Sequence, residues 1–186
     1  DTQLDLKGMS VNTVTFSSQK GRLIAIRLTD ASGNGLANES IMASLDNKIF
    51  NLTTNSNGEA SLELRIANAG TYTLTAVFLG AEGYHSSLKS TKITVKASKT
   101  SLTLKKYKFK AKRKIKKIRI VLKSNGNALK NKKITVKVNG RKYTAKTNSK
   151  GIAVVKVKLS KKKTYKYAAS FAGDSQYAKV SKKSRS

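Results

Sequence analysis

Two tandem all-β sandwich domains are what this sequence predicts, and three observations carry the prediction. The first is an internal repeat. Thr54-Asn55-Ser56-Asn57-Gly58 returns as Thr147-Asn148-Ser149-Lys150-Gly151, so the two glycines stand 151 − 58 = 93 residues apart. The second is periodicity: apolar residues alternate with polar ones, and no segment longer than ten residues keeps a helical period, which is the pattern of strands with one buried face. The third is spacing. Such segments recur roughly every ten residues between Gly/Asn/Ser/Asp clusters, about seven to a copy, as in a two-sheet sandwich of immunoglobulin type.

The repeat reaches well beyond the pentapeptide. Leu36-Ala-Asn38-Glu-Ser-Ile41 falls on Leu129-Lys-Asn131-Lys-Lys-Ile134, Phe78-Leu-Gly80 on Phe171-Ala-Gly173, and Tyr84 on Tyr177. At the front the offset drifts to 98, where Thr2-Gln-Leu4-Asp-Leu6-Lys7 matches Thr100-Ser-Leu102-Thr-Leu104-Lys105. Two copies of one domain, 1–97 and 98–186, account for this.

In the first copy, Leu4 and Leu6 open an alternating strand, and Leu23–Leu28 is a compact apolar run closed by the turn cluster Thr29-Asp-Ala-Ser-Gly-Asn-Gly35. Further strands are expected at Ile41–Leu45, Lys48–Leu52, Ala60–Leu64, Tyr72–Phe78 and Thr91–Val95. The Cys-Trp-Cys hallmark of antibody domains is absent, since the chain has neither Cys nor Trp. The core therefore rests on aliphatic residues and on the Tyr72/Leu74/Ala76/Phe78 face.

Lys96-Ala-Ser-Lys-Thr100 joins the copies without Gly or Pro. In the second copy, the expected apolar face comprises Leu102/Leu104, Ile115, Ile118/Ile120/Leu122, Ile134/Val136/Val138, Tyr143/Ala145, Val155/Val157/Leu159 and Tyr165/Tyr167/Ala169/Phe171. After Tyr177 only Ala-Lys-Val-Ser-Lys-Lys-Ser-Arg-Ser186 follows, so the second domain is expected to lack the strand matching Thr91–Val95. An open groove of that kind accepts a strand from another chain, so self-association by strand complementation into a filament is one expectation.

Charge separates the copies. Residues 1–97 carry nine Lys/Arg and eight Asp/Glu, a net of +1, whereas residues 98–186 carry thirty and one, a net of +29. Alternation such as Lys133-Ile-Thr-Val-Lys137-Val puts most of these ammonium groups on solvent faces. One reading is defensive, because lysine on exposed strands blocks edge-to-edge aggregation. The other is that a field of one sign, with Asp174 the sole acid, calls for a polyanionic partner, since a merely solvated surface mixes both signs. The densest run supplies the candidate polyanion-binding residues Lys105, Lys106, Lys108, Lys110, Lys112, Arg113, Lys114, Lys116 and Lys117. Tyr107 and Phe109 interleave with them, either stacking on nucleic-acid bases or forming the core face of a strand.

Other chemistry is thinly provided for. His85 is the only histidine, so neither a nucleophilic triad nor a zinc site is expected. Asp30-Ala-Ser-Gly-Asn34 offers one carboxylate and reads as a turn rather than a calcium loop. Lys7 and Glu63 are candidates for an internal amide cross-link, without a pattern that fixes their geometry. Asn38-Glu-Ser40 and Asn51-Leu-Thr53 are sequons, making Asn38 and Asn51 candidate N-glycosylation sites. No cofactor is expected, and no apolar run approaches the roughly 18 residues of a membrane span.

The stretch from Gly126-Asn-Ala-Leu-Lys-Asn-Lys-Lys-Ile-Thr-Val-Lys-Val-Asn-Gly140 through Thr147-Asn-Ser-Lys-Gly-Ile-Ala153, with Thr164-Tyr-Lys-Tyr167 and Phe171-Ala-Gly-Asp-Ser-Gln-Tyr177, resembles the immunoglobulin-like repeats of prokaryotic cell-surface proteins. It is most similar to lysine-rich repeats of adhesin-like proteins from methanogenic archaea. The resemblance covers nearly all of the second copy and, more loosely, the first, whose Phe78-Leu-Gly-Ala-Glu-Gly-Tyr84 departs from the Gly-Asp-Ser-x-Tyr form. It implies an extracellular, non-enzymatic adhesion or structural module. The expected partner of the cationic copy is an anionic wall or surface polymer, with nucleic acid as the rival.

Overall fold

The computed structural model describes residues 2–7, 22–105, 107, 115–159 and 164–185. Among these, every regular element is a strand, and the protein is an all-β chain of immunoglobulin-like sandwiches. It divides into two compact units, Asp1–Lys96 and Ala97–Ser186. The first holds β1 (Thr2–Lys7), β2 (Arg22–Asp30), β3 (Ser40–Leu45), β4 (Lys48–Thr53), β5 (Glu59–Leu64), β6 (Gly70–Phe78) and β7 (Ser87–Val95). They form antiparallel sheets of order β1-β2-β5 and β4-β3-β6-β7. The second unit holds β8 (Thr100–Leu104), β9 (Ile115–Ser124), β10 (Asn127–Ala128), β11 (Lys133–Val138), β12 (Arg141–Lys146), β13 (Ile152–Lys158), β14 (Lys166–Phe171) and β15 (Val180–Arg185). Here β9 pairs with β13, β10 and β8, and the opposite sheet runs β12-β11-β14-β15.

Alternation becomes burial strand by strand. Ile41, Ala43 and Leu45 of β3 are buried and the residues between them exposed; Ile134, Val136 and Val138 of β11 repeat this. Inward residues of the two sheets meet in one core per unit, around Ile24, Ile26, Leu28, Leu74 and Phe78 in the first, and Ile118, Ile120, Leu122, Tyr167 and Phe171 in the second. Fully burying each such aliphatic side chain contributes about 1.5–3 kcal/mol. Pairing registers are shared: Met42 opposes Val77, and 93 residues later Thr135 opposes Ser170.

The repeated pentapeptide is a latch. Thr54 is buried, and its hydroxyl donates to the Leu36 carbonyl (2.6 Å) while accepting the Glu39 N–H (2.9 Å). Thr147 does the same with Leu129 and Lys132. The Asn148 side-chain oxygen accepts the N–H groups of Lys150 and Ile152, both at 3.0 Å, as Asn55 does for Asn57 and Glu59. Gly151 has a φ of +69°, and a Cβ there would lie 2.5 Å from the Leu122 carbonyl oxygen. No other residue fits. Asn38 and Asn131 recur for a similar reason, with φ of 58° and 59°, since Asn tolerates the left-handed region.

One expectation is corrected. The second unit does have its last strand: β15 pairs antiparallel with β14 along its whole length, Phe171 opposite Val180 through to Lys166 opposite Arg185. Its counterpart β7 begins at Ser87, not at Thr91, and Phe78 opposes Ser87 in the same register. Polar composition hid this stretch. Both strands lie at a sheet edge, where backbone bonds to one neighbour hold residues whose side chains need bury little. The open groove inferred from a missing strand is thus already filled along β14.

Candidate functional site

Parity along each strand decides which cations can meet a partner. In β9, Lys117, Arg119 and Lys123 are exposed, while Lys116, at 8% exposure, is buried on the inward side. Lys105 is exposed, and its carbonyl accepts a bond from the Tyr167 hydroxyl at 2.9 Å. Of the candidate polyanion-binding run, then, Lys105 and Lys117 are presented and Lys116 is not. Lys106, Lys108, Lys110, Lys112, Arg113 and Lys114 lie outside the described residues, as does Phe109. Tyr107 acts structurally: half-buried against the core, its hydroxyl accepts the Arg119 N–H at 2.8 Å, and its ring sits 6.5 Å from that of Tyr167.

A second cationic surface, which sequence reading did not assemble, forms on the outer face of β12-β11-β14-β15. Cross-strand registers arrange it in rows. Lys133 stands opposite Lys146, and Lys137 opposite Lys142. Ala168 stands between Lys137 and Lys183, and Lys166 opposite Arg185. Between the lysine rows runs a row of hydroxyls, Thr144, Thr135, Ser170 and Ser181. All seven of these cations are exposed. Alternating Lys and apolar residues gave their parity in the sequence, but only the pairing register shows which lysines become neighbours.

Like charges facing one another across a ladder destabilise it, so this arrangement runs against folding rather than with it. The other sheet repeats it, with Lys117 opposite Lys156. In the first unit the corresponding positions 93 residues earlier are Ser40, Thr53, Ser44, Ile49, Ser90, Thr73 and Lys92. One cation stands where the second unit has seven. That face is instead partly apolar, with Met42 at 38%, Ile49 at 66% and Leu88 at 66% exposure.

The second unit's one acid is committed internally. Asp174 accepts from Lys132 Nζ at 2.6 Å and from the backbone N–H groups of Gln176 (3.0 Å) and Tyr177 (2.9 Å). Lys132 also lies 4.7 Å from the centre of the Tyr177 ring, a cation–π contact. Partial burial pushes the Asp174 carboxyl up, but the Lys132 ammonium and the two N–H donors outweigh it and hold it below its ordinary value.

The remaining candidates stand apart. The Asp30 carboxylate is taken up by its own turn, accepting from the Ser32 N–H and from the backbone and side chain of Asn34. Among the described residues no three His, Cys, Asp or Glu side chains gather as a metal site would require. His85 is exposed in the loop after Tyr84. Glu63 is paired with Arg65 at 2.9 Å, and the side chain of Lys7, its supposed cross-link partner, lies outside the described residues. Asn38 and Asn51 are both exposed, Asn38 in the turn before β3 and Asn51 on β4. No described helix is long and apolar enough to cross a membrane.

No protein-family model matches the chain, and no curated protein sequence matches it. Among solved structures it is similar to invasin, a bacterial integrin-binding protein, at 14% identity and a TM-score of 0.58, over 97% of this chain and 38% of that one. The chain thus spans well under half of invasin's length. It also aligns with the fibronectin(III)-like modules of Clostridium thermocellum CbhA (14% identity, TM-score 0.39, 98% of this chain and 92% of that one) and with the D0-D1 domain of intimin (14%, 0.32, 98% and 96%). At 14% identity the likeness to invasin speaks for the fold alone.

Proposed function

We propose that this chain is a non-enzymatic adhesion or structural module of a prokaryotic, archaeal, cell surface, whose cationic second unit holds an anionic wall or surface polymer. The near-neutral first unit then serves as the outward or assembly-facing part.

One observation carries the reading: cations stand on central strands as well as at edges. Edge protection accounts for Lys142 and Lys146 on β12 and for Lys183 on β15. It does not account for Lys133 and Lys137 on β11, Lys166 on β14, or Lys117 and Arg119 on β9, all on strands with a neighbour on either side. Ladders of like charge cost stability unless something neutralises them. A flexible polyanion lying over the sheet does so, each exposed lysine adding little and the array adding up within the screening length of about 8–10 Å.

The archaeal surface assignment and the adhesion role follow the sequence resemblance of Gly126–Ala153. The described aromatics lend a nucleic-acid role no support. Single-stranded nucleic acid is held by stacking on exposed rings, and no described aromatic of the second unit is exposed. A filament joined by strand donation rested on a vacant edge that β15 occupies.

The test is binding of the whole chain to isolated archaeal envelopes, to heparin and to DNA across a salt series. The expected outcome is retention on envelopes and heparin at 0.15 M salt, with affinity falling as salt rises. Preferential retention on DNA at that salt would overturn the reading in favour of the nucleic-acid rival.

A further inference from the structure

A depression in the cationic sheet face gives the proposed polymer a defined seat. Its floor is Ala168, the one small apolar residue in its row, flanked by Lys137 on β11 and Lys183 on β15. Lys166 and Arg185 line it in the next row, and the Asn139–Gly140 turn closes one end. The volume is about 720 Å³, within the range of small-ligand sites. Neighbouring strands lie roughly 4.8 Å apart, so Lys137 and Lys183 are separated by about 10 Å across the alanine. Four cations therefore surround Ala168, with Tyr167 and Ser184 completing the lining.

In the first unit the corresponding place holds a smaller depression of about 390 Å³, lined by Ser44, Asp46, Asn47 and Thr73 where the second unit has Lys137, Asn139, Gly140 and Lys166. There Ala168 is replaced by Thr75 and Lys183 by Ser90, whose hydroxyls bond to each other at 2.8 Å. The second unit has neither of these hydroxyls. The changes are steric as well as electrostatic, so net charge alone does not describe the difference between the units.

We infer that this depression is the primary site for one acidic sugar of an anionic polysaccharide lying across the strands, an inference that rests on the polyanion-binding function proposed above. The acid group, carboxylate or sulfate, sits over Ala168 among Lys137, Lys166, Lys183 and Arg185. Two residues along the strands, the row Thr144, Thr135, Ser170 and Ser181 presents hydroxyls on the same face, which match the hydroxyls of a sugar. Alkyl stems of the lysines supply apolar walls for the ring.

The test titrates the full chain with polygalacturonate, dextran sulfate, polyphosphate and single-stranded DNA at one fixed salt concentration. Ala168→Thr fills the floor without changing charge, and Thr is already accommodated at this register in the first unit. It is expected to weaken binding of the acidic glycans about tenfold, which is about 1.4 kcal/mol. Lys137→Ser with Lys183→Ser, the residues the first unit carries, should weaken it at least as much. Lys117→Ser with Lys156→Ser, which removes two charges from the other sheet, should weaken it less than about threefold. Whichever of the carboxylated and sulfated glycans binds tighter identifies the acid group. Unchanged affinity in Ala168→Thr, or equal losses in the two double variants, would overturn the seat while leaving polyanion binding intact. Equal sensitivity of polyphosphate or DNA to Ala168→Thr would overturn the sugar assignment. Failure of the parent chain to bind any of the four would remove the proposed function itself.

Discussion

Thr147 illustrates how much one buried hydroxyl holds in place. It ties the loop before β11 to the turn before β13 by donating to one backbone carbonyl and accepting one N–H. At 4% exposure no water substitutes for it. Thr147→Val keeps the shape and strands both backbone groups, each worth about 1–3 kcal/mol when left unsatisfied. The predicted outcome is a loss of about 2 kcal/mol in the second unit, read as a lowered urea midpoint with the first unit's transition unmoved. The motif was plain in the sequence because it occurs twice. Its role as a latch was not, because the partners Leu129 and Lys132 lie 18 and 15 residues away, and only the folded loop brings them to the hydroxyl.

At the scale of the element, the turn between β14 and β15 is set by Asp174. Its carboxyl lies below the ordinary value of 3.8, so the ionised form is the one the fold favours. A depressed carboxyl contributes stability that is fully present above the unfolded value and is lost as pH falls through the folded one. The second unit's melting temperature should therefore drop as pH is lowered below about 3.8. Asp174→Asn should be less stable at neutral pH and lack that drop; an identical acid profile in the variant would contradict this account. Sheet pairing was legible from alternation in β3, β6, β11 and β14, where one face is buried. It was misread in β15, because Val-Ser-Lys-Lys-Ser-Arg has no apolar period, and an edge strand's hydrogen bonds leave no mark on its composition. The lysine rows were half legible: parity follows from the sequence, but the neighbours across the ladder follow from register alone.

Across the whole molecule, two units of one fold carry charges of +1 and +29 over residues 1–97 and 98–186. Repulsion among exposed lysines is screened by salt over a Debye length of about 10 Å at 0.1 M and about 3 Å at 1 M. Raising sodium chloride from 0.01 to 0.5 M is therefore predicted to raise the second unit's unfolding temperature by several degrees and to leave the first unit's nearly constant. A saturating acidic glycan should reproduce the increase at low salt, because a ligand of the folded state shifts unfolding by mass action. Equal responses in both units would show that the lysine ladders cost nothing. The latch has one more consequence. The threonine, asparagine and glycine that hold each copy together all lie in turns, so the outward positions of the sheets can change without disturbing them. Such a module can be copied and given a new coat without touching its joinery, so the stickiness of one copy can be set apart from that of the other.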